Sequence, residues 1–198
     1  MILFFDTETT NLPNFRAKPD DPSQPHIVQL GAILCDPARK VVAELNLLVL
    51  PEGWTIAPEA QAIHGISPEQ ATRYGLRIAT VARLFAQFVK RAELLVAHNI
   101  SFDKLLVLAE LLRLNEEQAA VEFQDKPTFC TMQATTPICK LPGKFDSYKW
   151  PKLTEAYRHL LGKELDCAHD AMADVRGCME VYYALHPLAA PKETESLD

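Results

Sequence analysis

The amino-acid sequence predicts an α/β domain built on a mixed five-stranded sheet. Three short apolar runs near the start are joined by turn-forming or irregular segments, as in an antiparallel meander. Farther along, the strand-length run Leu94–Ala97 leads into a Leu-rich helical stripe at Ser101–Leu114, which is half of a parallel crossover unit. A length of 198 residues with 48% hydrophobic composition suits one core. We therefore expect a single domain over residues 1–186, followed by a polar tail over 187–198.

The first three strands are predicted at Met1–Thr7, Ile27–Cys35 and Val41–Leu50, where apolar runs are bounded by turn residues. The segment Pro13–Pro25 contains four prolines and mixed charges without a regular period, so we expect a surface loop there. Residues 36–39 form the turn between the second and third strands.

Helical signals dominate the remainder of the chain. Ser67 is a suitable N-cap and Pro68 a suitable first helical residue, which predicts a helix start. Later elements are a last strand at Thr128–Met132 and helices over Ile78–Lys90, Leu153–Leu161 and Ala171–Leu185.

Neither an export signal nor a membrane span is evident. The apolar start meets Asp6 and Glu8 at once and lacks the basic region of a signal peptide. No run reaches the ~18 uninterrupted apolar residues of a spanning helix. The five cysteines show neither a C-x-x-C pair nor zinc-ligand spacing. We expect a soluble, cytoplasmic protein with reduced thiols and no membrane partner.

The formal net charge of −6 argues against nucleic-acid binding through a broad basic face, because Lys and Arg dominate such binding. It is compatible with a site where carboxylates gather around divalent cations, since the cations would balance the charge locally.

Two carboxylates stand two residues apart at the end of the first predicted strand. Side chains alternate along a strand, so Asp6 and Glu8 project from the same face. Buried carboxylates need compensation, which suggests a functional pair. The alternative is that both are ordinary polar residues of an exposed turn.

Asp103 falls in the first turn of a helix that follows a buried strand, where ligands tend to bind in open α/β sheets. It could instead only complement the helix dipole, and Asn99 could be an N-cap. If Asp170 caps the last long helix, Asp174 lies near its first turn and His169 just outside it. That histidine is either a base beside a carboxylate or a structural or solvated residue.

Four of these carboxylates could converge on one edge of the sheet, because Asp6, Glu8, Asp103 and Asp174 all fall at strand ends or helix starts. Clustered oxygen ligands favour Mg²⁺ or Mn²⁺ over zinc. Two such ions about 3.5 to 4 Å apart would stabilise the attacking and leaving oxygens of a phosphoryl displacement.

Three segments resemble, in order and separation, the exonuclease motifs of the DEDDh family, which includes the proofreading exonucleases of bacterial DNA polymerases. They are Phe5–Thr10, His98–Asp103 and His169–Asp174, and the resemblance extends from Met1 to about Leu185. It implies an RNase H-like fold and 3′-to-5′ hydrolysis of single-stranded or frayed DNA, with release of nucleoside 5′-monophosphates.

The resemblance also implies a role for each motif residue. Asp6 would bridge two metal ions, Glu8 and Asp174 would complete the ion on the nucleophile side, and Asp103 would hold the second ion through water. His169 would accept the proton of the attacking water. Substrate contacts are implied for Thr7, Thr9, Leu12, His64, Asn99 and Phe102.

Two features depart from the family pattern. Asn11 stands where the family usually has glycine, and we expect asparagine to tolerate a positive φ there. The Pro13–Pro25 segment is longer than in compact members.

A basic and aromatic segment follows the fifth predicted strand. It either tracks a single strand by charge and stacking or forms a solvated loop. Its residues are Lys140, Lys144, Tyr148, Lys149, Trp150 and Lys152.

Alternative functions are an RNA-trimming exoribonuclease of the same family and a non-catalytic nucleic-acid- or polymerase-binding module. A third is a metal-binding protein that acts on some other phosphoester. A proofreading role would require a DNA polymerase subunit as partner, because the sequence gives no sign of a polymerase domain.

Overall fold

The computed structural model describes residues 1–145, 147–166 and 170–187. Its sheet contains five strands in the order β3-β2-β1-β4-β5. The strands are β1 (Ile2–Thr9), β2 (Ile27–Cys35), β3 (Val41–Leu48), β4 (Leu94–Ala97) and β5 (Thr128–Cys130). Strand β2 runs antiparallel to both β1 and β3, whereas β4 runs parallel to both β1 and β5. This topology confirms the predicted mixed sheet.

Eight helices flank the sheet in the part of the chain described. They are α1 (Pro58–His64), α2 (Pro68–Tyr74), α3 (Ile78–Arg91), α4 (Ile100–Arg113), α5 (Glu117–Asp125), α6 (Thr131–Cys139), α7 (Leu153–Leu161) and α8 (Ala171–Leu185). Ser67 caps α2 as predicted, because its hydroxyl accepts the N–H of Gln70. None of the described helices is both long and apolar enough to cross a membrane.

The pleat of β1 divides the core between the two faces of the sheet. Phe5 packs with Phe85 and Phe123 on the face covered by α3, α4 and α5. Phe4 points to the opposite face and packs against Tyr182 of α8. Burial of each phenylalanine contributes roughly 1.5–3 kcal/mol, so both faces anchor the strand. The polar end of β1 is therefore held in a fixed position.

Three predicted strand ends differ from the structure by two residues each. The first strand extends to Thr9 rather than Thr7. The third ends at Leu48, because Val49 instead forms an isolated parallel bridge with Leu76. The fifth stops at Cys130, because α6 begins at the next residue.

Helices α1, α5 and α6 were not predicted. Helix α1 has only seven residues and its N-cap, Ala57, makes no side-chain capping bond. Helix α6 contains Pro137 and several threonines, which have weak helical propensity. Packing against the rest of the domain overrides these local preferences.

The segment Pro13–Pro25 forms the predicted loop, and polar contacts hold it against α4. Gln24 is only 2% exposed, and its side chain accepts the N–H of Asn14 at 3.1 Å and donates to the Asn14 carbonyl at 2.9 Å. The Arg113 guanidinium donates to the carbonyls of Gln24 and Pro25. An irregular loop is thus held in one conformation.

The two ends of this loop meet at the sheet. The N–H of Thr10 donates to the carbonyl of His26 at 2.9 Å, and the N–H of His26 donates to the Thr10 hydroxyl at 3.0 Å. The His26 ring stacks on Trp54 with centroids 5.1 Å apart and lies 3.1 Å from the Glu110 carboxylate. We call the Thr10–His26 pair of hydrogen bonds the loop clasp.

Asn11 does not adopt the positive φ that asparagine would tolerate. The Asn11 side-chain oxygen instead accepts the N–H of Leu12 at 2.7 Å, and the Asn11 backbone carbonyl accepts the Thr9 hydroxyl at 2.8 Å. These local bonds make the turn without a left-handed residue. Of the predicted polar tail, residues 188–198 lie outside the described residues, and residue 187 follows α8 closely.

Candidate active site

The alternation of β1 places two carboxylates on the side of the sheet that carries α8. Asp6 and Glu8 follow Phe4 at two-residue spacing and so share its face. Carboxylate oxygens of Asp6, Glu8 and Asp174 all lie within 4.8 Å of one another. The first and last predicted motifs therefore meet at one point.

Asp103 approaches from the other face through a contact with Thr7. It lies in the first turn of α4 and is only 2% exposed. The N–H and hydroxyl of Thr7 both donate to Asp103 Oδ1, at 2.9 and 2.8 Å. Because β4 is parallel to β1, the strand before α4 ends at the same sheet edge as Asp6, and this brings the fourth carboxylate to the cluster.

The start of α8 is positioned by contacts that sequence reasoning missed. Asp170 caps the helix by accepting the N–H groups of Met172 and Ala173, as predicted. Gln29, buried in β2, donates to Asp170 at 3.2 Å and accepts the N–H of Ala171 at 3.2 Å. The available signal was a single glutamine within an apolar strand, since buried polar groups require partners.

Gly31 of β2 lets α8 approach the sheet closely. A Cβ at this position would lie 2.8 Å from the backbone carbon and oxygen of Ala171, closer than such atoms can pack. Glycine is therefore required where the helix that carries Asp174 crosses β2.

The carboxyl groups of Asp6, Glu8 and Asp103 have pKa values above their ordinary range. Burial raises the pKa of Glu8 to about 8, and the charges of Asp174 and Asp103 act in the same direction. Burial also raises the pKa of Asp6 well above its usual value, and its acidic neighbours add to this effect. For Asp103, burial raises the pKa to about 7 although the Thr7 hydrogen bonds lower it.

These residues fit a divalent-cation centre. Every donor in the cluster is a carboxylate oxygen, which is the ligand type that hard cations prefer. Burial is the largest cause of the raised pKa values, and repulsion between the charged acidic groups adds to it. A bound divalent cation would remove that repulsion, so the electrostatics and the donor chemistry agree.

A cavity of about 570 Å³ opens above the carboxylates. It is lined by every predicted site residue within the described part of the chain. These are Asp6, Thr7, Glu8, Thr9, Leu12, His64, Asn99, Phe102, Asp103 and Asp174. His169, the predicted proton acceptor, lies outside the described residues.

One wall of the cavity comes from α1, a helix that was not predicted. Ala57, Ala60, Ile63 and His64 line this wall. The His64 ring accepts the N–H of Ile66 at Nδ1, at 3.1 Å, so the ring proton resides on Nε2. Among the described residues Nε2 has no hydrogen-bond partner, and burial lowers the pKa of this histidine. His64 is therefore a neutral donor beside the cavity.

His98 lines another part of the cavity and joins the end of β4 to the start of α6 and to the segment before α7. Its Nδ1 lies 2.9 Å from the Thr131 hydroxyl and its Nε2 lies 3.0 Å from the Pro151 carbonyl. Burial lowers the pKa of His98, so the neutral ring donates from Nε2 and accepts at Nδ1. Asn99, the next residue, has φ of 69° and ψ of 48° and no side-chain capping bond, so its N-cap alternative is not realised by the side chain.

An RNase H-like sheet with a cluster of carboxylates near the end of β1 is typical of exonucleases of the DEDDh type. The chain matches the RNase T exonuclease family over residues 3–182, and it belongs to that family. It is 33% identical over 188 residues to the uncharacterized exonuclease CP81 of Escherichia phage 186, covering 92% of this chain and 87% of that protein.

Other relatives are longer than this chain. A DNA polymerase III subunit epsilon-like protein of Rhodobacter capsulatus is 31% identical over 188 residues, which are 94% of this chain and 24% of that protein. The crystal structure of E. coli Exonuclease I in complex with a dT13 oligonucleotide is similar with a TM-score of 0.70 and 22% identity. That match covers 91% of this chain and 40% of Exonuclease I. A zinc-bound E. coli Exonuclease I complex with single-stranded DNA has a TM-score of 0.71 at 22% identity over 93% of this chain and 40% of that one.

Proposed function

We propose that this exonuclease removes nucleoside 5′-monophosphates from the 3′ end of single-stranded or frayed DNA with the aid of two divalent cations. The proposal depends on one observation above all: carboxylate oxygens of Asp6, Glu8 and Asp174 lie within 4.8 Å of one another. Asp103 is close enough to raise the pKa of Asp6. Such a cluster suits two cations better than one, because two carry enough charge to balance four carboxylates.

Each acidic residue has a distinct proposed task. Asp6 would be shared by both ions, and Glu8 and Asp174 would complete the ion that holds the attacking water. Asp103 would act on the second ion through water. All donors are oxygens, so Mg²⁺ or Mn²⁺ is the expected metal. When bound, such ions lower the pKa of a coordinated water and stabilise charge on the leaving oxygen.

His169 is the proposed acceptor of the proton from the attacking water. It immediately precedes Asp170, the N-cap residue of α8, in the sequence. An imidazole with an ordinary pKa of ~6.5 can accept a proton near neutral pH. A catalytic role for this residue stays a prediction.

The cavity suits one terminal nucleotide. Its volume of about 570 Å³ lies within the range of roughly 300–1,000 Å³ for small-molecule sites. Leu12 and Ile63 are 77% and 60% exposed and line the cavity, where they can contact a base. His64 Nε2 can donate to an oxygen of the nucleotide. A site of this size, with the carboxylates at its base, favours cleavage at a strand end.

The direction of cleavage and the preference for DNA draw support from the relatives. One is named for the epsilon subunit of DNA polymerase III, and Exonuclease I has been crystallised with a single-stranded oligonucleotide. A polymerase subunit as partner stays a prediction.

The decisive experiment uses 5′-labelled single-stranded DNA and RNA of matched sequence, with Mg²⁺, Mn²⁺ or EDTA. We expect a metal-dependent ladder that shortens from the 3′ end of DNA and retains the label on every fragment. Release of a labelled mononucleotide at the earliest times would instead indicate attack at the 5′ end. Faster cleavage of RNA would favour the exoribonuclease alternative.

Three variants complete this assay. Asp174→Asn and His169→Ala should each abolish most of the activity, the first by removing a metal ligand and the second by removing the proton acceptor. Asp20→Asn removes an exposed carboxylate in the loop and should have no effect. Full activity in Asp174→Asn would contradict the proposed site, and binding of 3′ ends without release of mononucleotides by the native protein would favour a binding module.

A further inference from the structure

A short hairpin between α6 and α7 is held by its own backbone. The N–H of Gly143 donates to the carbonyl of Ser147 at 2.9 Å. The N–H of Lys149 donates to the carbonyl of Leu141 at 3.1 Å. Pro142 and Tyr148 form an antiparallel bridge between these bonds. We call residues 141–145 and 147–150 the aromatic hairpin.

The aromatic hairpin exposes large rings to solvent. Phe145 is 98% exposed, Trp150 is 67% exposed and Tyr148 is 49% exposed. Three exposed rings within six residues are unusual on a protein surface without a binding role. The backbone bonds hold the hairpin in shape, so the rings are presented rather than packed into the core.

The charge of this region is opposite to that of the whole protein. Residues 140–152 contain four lysines and one aspartate, whereas the chain carries a formal charge of −6. Lys149 pairs with Glu155 at 2.6 Å, but Lys140 and Lys144 form no ion pair with any described residue. Positive charge beside exposed rings is complementary to a phosphate backbone with unpaired bases.

The hairpin is attached directly to the wall of the active-site cavity. Trp150 is followed by Pro151, whose carbonyl accepts the N–H of His98 Nε2 at 3.0 Å. His98 lines the cavity, so Trp150 lies one residue from a contact with the cavity wall. A strand whose last nucleotide occupies the cavity can therefore continue along the hairpin.

We propose that the aromatic hairpin binds the single strand on the 5′ side of the nucleotide being removed. Bases stack on Trp150, Tyr148 and Phe145, while phosphates contact Lys140 and Lys144. Stacking needs unpaired bases, so this surface selects single strands over duplexes. The proposal rests on the proposed function, because it assumes that a strand end enters the cavity.

The test compares a long oligothymidylate with the 4-nitrophenyl ester of thymidine 5′-monophosphate, which offers one nucleotide to the cavity and no further nucleotide to the hairpin. Trp150→Ala should raise KM for the long oligomer by about tenfold and leave the kinetics of the mononucleotide ester unchanged. Trp150→Phe keeps a stacking ring and should retain most of the affinity. Thermal unfolding of each variant verifies that the fold is unchanged.

A second test measures charge. In the double variant Lys140→Gln and Lys144→Gln, the dependence of log affinity on log salt should weaken by about 0.7 for each phosphate that the variant no longer neutralises. Lys90→Gln is the matched control, because Lys90 lies near the end of α3, just before β4 begins, whereas the cavity lies where β4 ends. That variant should leave the salt dependence unchanged.

Each outcome decides the proposal. If Trp150→Ala lowered activity equally on both substrates, the hairpin would only support the cavity wall. If it lowered activity on neither, the hairpin would bind something other than the strand, such as a protein. Either result would overturn the proposal. If the native protein cleaved neither substrate, the proposed function would fail. In that case anisotropy of a labelled oligothymidylate in EDTA would still test the hairpin, because Trp150→Ala must then weaken binding, and unchanged binding overturns the proposal.

Discussion

Thr7 holds Asp103 through two hydrogen bonds to the same carboxylate oxygen. The backbone N–H donates at 2.9 Å and the hydroxyl at 2.8 Å, although 96 residues separate the two in sequence. These bonds favour the charged carboxylate and lower its pKa, opposing the burial that raises it to about 7. Thr7 thus keeps a nearly inaccessible carboxylate able to ionise near neutral pH.

Replacing Thr7 by valine should move the activity profile to higher pH. The variant lacks the hydroxyl bond, so the pKa of Asp103 rises and more alkali is needed to ionise it. The free energy of unfolding should fall by about 1–2 kcal/mol. Activity against pH and urea unfolding measure the two effects.

Thr135→Val is the matched control for this prediction. The Thr135 hydroxyl is also buried and donates to the Thr131 carbonyl at 2.7 Å, but it does not contact the carboxylates. A similar loss of stability with an unchanged pH profile is expected. The same pH shift in both variants would contradict a specific effect of Thr7 on Asp103.

The metal-free protein should lose stability as pH rises. In the folded state the pKa of Glu8 is about 8, above its ordinary value of 4.5, so the folded state binds the proton more tightly than the unfolded state. The stability that this tighter proton binding contributes is fully present below pH 4.5, the pKa of Glu8 in the unfolded state. It is lost as the pH rises through about 8, the pKa in the folded state. Urea unfolding in EDTA from about pH 5 to 9 should show this decline.

Mg²⁺ should reverse the decline, because it binds the ionised carboxylates and is most stabilising at high pH. Glu8→Gln should flatten the pH dependence in EDTA. Stability that increased over the same range without metal would refute the proposed repulsion within the cluster.

Asp6→Asn should stabilise the metal-free protein and at the same time abolish activity. The amide removes a buried charge that interacts unfavourably with Asp103, Asp174 and Glu8. The free energy of unfolding at pH 8 should therefore be higher than that of the native protein. Differential scanning calorimetry in EDTA and with Mg²⁺ measures both the gain and the absence of a response to metal.

Asp20→Asn, an exposed change in the Pro13–Pro25 loop, controls for the change in net charge. It should alter neither stability nor the response to Mg²⁺. An Asp6→Asn protein less stable than native in EDTA would show that Asp6 forms favourable contacts that outweigh the repulsion.

Gly31→Ala should reduce stability by about 1–3 kcal/mol and lower activity further than the loss of stability explains. The new Cβ would displace Ala171, and with it the first turn of α8 that carries Asp174. Gly177→Ala is the control, because its Cβ would meet side chains and no backbone, namely those of Leu165 at 2.9 Å and Leu153 at 3.5 Å. Native activity in folded Gly31→Ala would contradict this role for the close approach.

Much of the site was predictable because local geometry determines it. Alternation along a strand is enough to place Asp6 and Glu8 together, and capping preferences are enough to place Asp170 at a helix start. The parallel crossover then brings Asp103 to the same edge. These inferences use only a few residues of neighbouring sequence.

The missed features depend on distant contacts. Helix α1 places His64 beside the cavity, yet its seven residues have too little apolar periodicity to distinguish a helix from a loop. Pro137 argues against α6, which packs nonetheless against α7. The partners of Gln29 lie 17 and more than 140 residues away, so no local pattern could identify them.

The loop clasp brings the chain out of the sheet and back into it at nearly one point. Thr10 and His26 are joined by two hydrogen bonds, so the length of the Pro13–Pro25 segment has little influence on the strands that it connects. Doubling such a loop changes its closure free energy by only ~0.6 kcal/mol. A reporter domain or affinity module could therefore be inserted in this loop while β1, the strand that carries Asp6 and Glu8, keeps its register.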